Sequence, residues 1–305
     1  MPLHRLASIA IGVPHPDAVR PFYVELGLVE TRPGVFETAG GGEQLRIERA
    51  ARRSLLVLTI AVDDADDLAR AAAALARLGV VAESSERALE CREPATGVRV
   101  RLAVEPRLVQ KPAPLLATNA PGRTRRVDAR SPAALPTEPA RPRRLAHAVI
   151  GSPDAAASRR FFVEGIGFRV SDEAPAIGAT FMRCSTDHHN LLVQAAPVSF
   201  LHHTAWEMDD VDAVGRAAAA MLAADPSRHV WGLGRHGIGS NYFWYLRDPA
   251  GNFAEYSSDV DVIVDDAAWR AAASSGAHPL AAWGPPVPKE FLAPDDIVAL
   301  ARGGA

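Results

Sequence analysis

The feature that most constrains this chain is an internal repeat. Arg5-Leu-Ala-Ser8-Ile-Ala-Ile-Gly12 returns as Arg144-Leu-Ala-His147-Ala-Val-Ile-Gly151, and Phe22-Tyr-Val-Glu25 returns as Phe161-Phe-Val-Glu164, each 139 residues later. Asp63-Asp64-Ala-Asp66, followed by Arg70 and a run of alanines, returns as Asp209-Asp210-Val-Asp212, followed by Arg216 and more alanines, 146 residues later. Pro94-Ala-Thr-Gly97 matches Pro249-Ala-Gly251 at offsets of 155 and then 154. The drifting offset places short insertions in loops, where they are tolerated. Whatever the 305 residues form, they form it twice.

Each copy reads as alternating short strands and helices, an α+β pattern. In the second, a strand at Leu145 to Ile150 leads through Pro153 and Asp154 into a helix with Phe161, Phe162 and Ile166 on its inner face. A strand at Leu201 to Met208 leads into an alanine-rich helix from Val211 to Ala224. Asn241 to Leu246 and Asn252 to Ser257 then read as a hairpin around Asp248-Pro-Ala-Gly251. Each domain is expected to be two paired βαβββ modules, at 1–105 and 144–265. Residues 106–143, rich in proline and arginine, are expected to be an extended linker. The tail, 266–305, with Trp283 and Phe291-Leu292, is expected to pack on the second domain.

Composition removes several function classes. The formal net charge is -3 and Lys and Arg are not gathered into a binding helix, so nucleic acid is not an expected partner. No apolar run reaches bilayer length and Met1 to Ile11 lacks a signal-peptide core, so a cytoplasmic protein without a membrane partner is expected. Two cysteines, Cys91 and Cys184, are too few for a disulfide framework or a thiolate zinc site, which leaves His and carboxylate as the donors for any metal. Seven of the ten histidines lie between His147 and His236.

The repeat lets one copy serve as the control for the other. His147 stands where the first copy has Ser8, His203 where it has Val57, and Glu255 where it has Arg101. Two imidazoles and one carboxylate from three strands, with open positions left over, suit a mononuclear non-haem Fe(II), and also Mn(II). An arginine in the third position would repel a cation, so a single metal site is expected, in the second copy. Because successive strand residues face opposite ways, His202 and His203 are not both expected to point inward. His203, in phase with Ala205 and Glu207, is the ligand of choice; His202 is expected either to support the site from behind the ligands or to be structural.

Taken together, Leu145-Ala-His147, Leu201-His-His203-Thr-Ala-Trp206, Gly234-Arg-His236-Gly237, Tyr245 and Asp248-Pro-Ala-Gly-Asn-Phe-Ala-Glu255-Tyr256 resemble a type I extradiol ring-cleavage dioxygenase of the vicinal oxygen chelate superfamily. The resemblance implies iron ligands at His147, His203 and Glu255, and active-site roles for His236 and Tyr245. A further family histidine falls in Asp187-His188-His189-Asn-Leu191, where the pattern favours His189 over His188 as the acid/base. It further implies ring opening of a small aromatic diol by O2, giving a 2-hydroxymuconic semialdehyde type of product; a homo-oligomer is expected. Phe243, in phase with Tyr245, is a candidate pocket wall, and Arg183, Arg235 or Arg247 could meet a substrate carboxylate. Two alternatives use the same cup. A glyoxalase-like metal isomerase would need a fourth ligand, and a non-catalytic binding protein of the bleomycin-resistance kind would have no need of His189, His236 and Tyr245.

Overall fold

The computed structural model describes residues 3–114, 116–134, 139–272 and 279–301. The first copy runs β1 (Leu3–Val13), α1 (Pro16–Glu25), β2 (Val29–Arg32), β3 (Val35–Thr38), β4 (Gly42–Arg49), then β5 (Ser54–Val62), α2 (Ala65–Arg77), β6 (Ala82–Ser84), β7 (Ala88–Arg92) and β8 (Arg99–Val104). The second repeats it: β9 (Arg144–Ser152), α3 (Ala155–Arg160), β10 (Arg169–Ala174), β11 (Ala179–Arg183), β12 (Leu191–Ala195), then β13 (Phe200–Glu207), α4 (Val211–Ala224), β14 (His229–His236), β15 (Tyr242–Arg247) and β16 (Phe253–Ser258). Each copy is therefore a pair of βαβββ modules joined into one mixed sheet. The strand orders, β2-β3-β4-β1-β5-β8-β7-β6 and β10-β11-β12-β9-β13-β16-β15-β14, correspond strand for strand.

The repeated sequence motifs have local physical causes. Asp64 and Asp210 are the N-caps of α2 and α4, their carboxylates accepting from the amides of Asp67 at 3.0 Å and Ala213 at 2.7 Å. The expected helix around Phe161 is α3 continued by a π-helical turn, Phe161–Ile166, which buries Phe161, Phe162 and Ile166. Gly165 in that turn lies against α2 of the first copy, where a Cβ would come within 2.9 Å of Leu75. The two copies share one continuous apolar core, with Leu6, Phe22 and Leu75 in the same cluster as Phe162, Trp206 and Tyr256. Burying both copies together in this way is the main stabilising term.

Between the sheets, apart from a 3-10 turn at Pro132–Ala134, the described residues carry no helix or strand. The tail adds α5 (Asp266–Ala272), β17 (Ala281–Trp283), α6 (Lys289–Leu292) and α7 (Ile297–Ala301). β17 extends the second sheet by pairing with β14. Beyond it the tail reaches back to the first copy: the Arg53 guanidinium donates to Asp296 at 2.7 Å and to the Leu201 carbonyl at 2.6 Å, and Arg52 donates to the Leu300 carbonyl. Among the described residues, no helix is long and apolar enough to cross a membrane.

Candidate metal centre

The sheet registers bring the three donor positions together. His147 on β9 is opposite Ala205 on β13, and Ala205 is beside Glu255 on β16, with His203 two residues along β13 on the same face. The first copy has the same register: Ser8 opposite Thr59, Thr59 beside Arg101, and Val57 two residues along. His147 Nε2 lies 3.2 Å from His203 Nε2 and 3.0 Å from Glu255 Oε2, and His203 Nε2 lies 3.4 Å from that oxygen. Donors bound about 2.0–2.2 Å from one divalent cation stand about 3 Å apart at adjacent positions, so these three atoms are spaced to share an ion. Among the described residues they are the one group of His, Cys and carboxylate so placed.

The environment also fits a cation. Glu255 is fully buried; its Oε1 accepts from Asn241 Nδ2 at 3.0 Å, while Oε2 makes no well-formed hydrogen bond and faces the two imidazoles. A buried carboxylate oxygen left so is costly unless a positive charge meets it. Burial by itself would raise the Glu255 pKa, but His147 and His203 outweigh it and hold the carboxyl well below its usual range. Burial lowers His203 to about 4 against the opposing pull of Glu255, so its imidazole is neutral and able to ligate.

Hydrogen bonds behind the donors settle which nitrogens carry protons. His202 Nε2 donates to the Phe291 carbonyl at 2.6 Å, and burial takes its pKa down to about 3. Its Nδ1 therefore accepts from His203 Nδ1 at 2.7 Å, which leaves His203 Nε2 as a lone pair aimed at the site. His236 repeats the device: Nδ1 donates to the Leu280 carbonyl at 2.6 Å and Nε2 accepts from the Tyr245 hydroxyl at 2.9 Å. His188 Nε2 lies 2.7 Å from Asp172, and its Nδ1 is 3.0 Å from His189 Nδ1. His189 stands between that pair and the donors, its ring centroid 4.2 Å from that of His147.

Above the donors is a cavity. His189, His236 and Tyr245 line it beside His147 and His203, together with Val149, Ile177, Phe181, Leu192 and Ile238 from the second sheet and Leu280, Phe291 and Leu292 from the tail.

Residues 144–256 match the model of the Glyoxalase/Bleomycin resistance protein/Dioxygenase superfamily. The second copy belongs to this superfamily. Metapyrocatechase 2 of Cupriavidus necator is 39% identical over 152 residues, which cover 50% of this chain and 47% of that relative. The 2,2',3-trihydroxybiphenyl dioxygenase of Sphingomonas paucimobilis is 29% identical over 133 residues, covering 41% and 44%. The matches thus span less than half the length of these curated relatives. Over nearly the whole chain the fold is that of BphC, a halotolerant catechol dioxygenase, with a TM-score of 0.72 at 17% identity, covering 92% of this chain and 94% of that one. The Mn(II)-bound glyoxalase of Novosphingobium aromaticivorans has a TM-score of 0.68 at 23% identity, covering 86% and 84%. The fold shared with these structures accordingly takes in the first copy as well.

Within this superfamily domain the structure brings together all six residues singled out in the sequence and corrects the reading of their surroundings. Alternation predicts that His202 faces away from His203, but β13 carries a bulge between Leu201 and His203, so both side chains reach the cavity. The first copy has the matching bulge at Leu56. Phe243 does not line the cavity; it stacks behind His236, with centroids 4.1 Å apart. None of the three arginines reaches the cavity either. Arg183 pairs with Asp266 and Ser171, Arg235 with Asp259, and Arg247 lies over Phe253. Asn241, Asp172 and the tail carbonyls are absent from the sequence reading. The tail carbonyls leave no trace in a side-chain pattern, and Asp172 sits on a short strand without a motif of its own.

Proposed function

We propose that this protein opens the ring of a catechol-type aromatic diol next to its two hydroxyls, consuming O2 at Fe(II) held by His147, His203 and Glu255 and giving a 2-hydroxymuconic semialdehyde type of product. The observation that carries this reading is the set of polar groups above the donors: His189, His236 and Tyr245 converge on one cavity from three separate elements, with no fourth protein ligand among them. A glyoxalase-like isomerase would need that fourth ligand, and a binding protein would need none of the three. The relatives named as metapyrocatechase and trihydroxybiphenyl dioxygenase support the same chemistry.

When bound, the ion supplies a Lewis acid and a template for diol and O2 together. The remaining requirements fall to the chain. With its Nε2 proton shared with Asp172, His188 accepts through Nδ1 from His189 Nδ1, and His189 keeps Nε2 as a lone pair for a substrate hydroxyl proton. Asp172 and His188 thus hold His189 in the tautomer a general base needs, a role of about 10²- to 10⁴-fold in rate. Tyr245, its hydroxyl proton spent on His236, offers its oxygen lone pairs to the second substrate hydroxyl. Burial and the charge of Glu255 push the tyrosine pKa well up, so the phenol stays protonated throughout. Phe181, Ile238 and Phe291 exclude water from the space where these groups meet.

The test is direct. Protein loaded anaerobically with Fe(II) and mixed with catechol is expected to take up O2 in equal amount to the diol lost when air is admitted, with a yellow ring-opened product. Silence across a range of substituted catechols, with metal confirmed bound, would overturn the reading.

A further inference from the structure

The cavity above the metal donors is walled by apolar side chains, and among the described residues its polar lining beyond the histidines and Tyr245 is Gln194. Among the described residues, no arginine, lysine or unpaired acidic group lines it. The least buried lining residues, Leu292 at 48% exposed together with Leu280, Ile177 and Gln194, mark its mouth, while His147, His203 and Tyr245 form its floor. A ring seated with both hydroxyls at the floor therefore directs its substituent past Ile177, Phe181 and the tail residues. Three of the lining histidines are already engaged: the outer nitrogens of His202 and His236 are each taken by a tail carbonyl, and His189 is tied to His188.

We infer that the substrate is a catechol bearing an uncharged, apolar substituent, alkyl or aryl, and that the tail residues Leu280, Phe291 and Leu292 together with Ile177 and Phe181 determine that preference. The inference rests on the ring-opening reading only for the orientation of the diol. A carboxylated catechol would bring its charge into this wall without a partner, and an unpaired buried charge is strongly disfavoured. An apolar group instead gains by covering the same wall.

The experiment is an anaerobic binding titration of the metal-loaded protein, read by quenching of tryptophan fluorescence, since Trp231 packs on both Tyr245 and Phe291. Methylcatechol and phenylcatechol are compared with protocatechuate, the catechol carrying a ring carboxylate. The apolar diols are expected to bind at least about 100-fold more tightly than protocatechuate, and Gln194→Arg or Leu292→Arg to narrow that gap about 10-fold by supplying the missing partner. Binding of protocatechuate within a few-fold of methylcatechol, or binding of none of the three, overturns the inference. Oxygen is admitted in a separate step. If the binding order holds but no ring opens, the ring-opening reading falls while the substrate preference stands.

Discussion

The two copies fold alike and differ in what stands at the floor and the roof of the cup. Both place three adjacent strand positions at the same register, and both carry the same bulge on the central strand. The first fills the floor with Ser8, Val57 and Arg101, and Arg101 is spent on Glu90 at 2.6 Å. Arg46 and Arg99 on its walls are exposed, and among the described residues none from the tail lines it. In the second, three donors replace those residues, and Phe291 and Leu280 roof them while fixing two histidine tautomers through their carbonyls. The comparison teaches that the sheet supplies only geometry. Metal chemistry requires the donor set together with a roof that excludes water and holds each imidazole in one protonation state. The first copy still serves that roof, because Arg53 anchors the tail at Asp296.

The largest asymmetry should appear at His189. His189→Ala is expected to keep its metal and lose turnover by about 10²- to 10⁴-fold, measured by O2 uptake at saturating diol. Loss of metal in that variant would mean His189 is a ligand and the donor set is misassigned. Next comes the bulge residue. His202→Ala frees His203 to rotate and is expected to weaken metal binding about 10- to 100-fold in a chelator competition, whereas Leu56→Ala at the matching bulge leaves metal affinity unchanged. Equal effects would break the claim that the bulge matters only where it orients a ligand. The smallest effects should be symmetric. Asp64→Ala and Asp210→Ala each remove a helix N-cap and are expected to cost about 1 kcal/mol of stability in thermal melts, with turnover retained by both.

The duplication made most of this legible without coordinates, because it turned one chain into two aligned ones. Val211 to Ala224 is readable as a helix from its cap and its alanines, and His147, His203 and Glu255 stand out because their counterparts cannot ligate. What escaped reading is non-local. The β13 bulge is a backbone choice that defeats strict alternation, so parity turns His202 away from the cavity that it in fact lines beside His203. Phe243 shares a face with Tyr245 but lies one layer further back, a depth that parity does not encode. The tail has no periodicity that marks where it lands, yet the Phe291 and Leu280 carbonyls hold His202 and His236.

The most direct test of the central claim is metal stoichiometry. After anaerobic loading and desalting, wild-type protein is expected to retain one ion per chain, Glu255→Gln close to none, and Arg101→Gln as much as wild type. Retention by Glu255→Gln, or loss in Arg101→Gln, would contradict the assignment of the metal to the second copy alone.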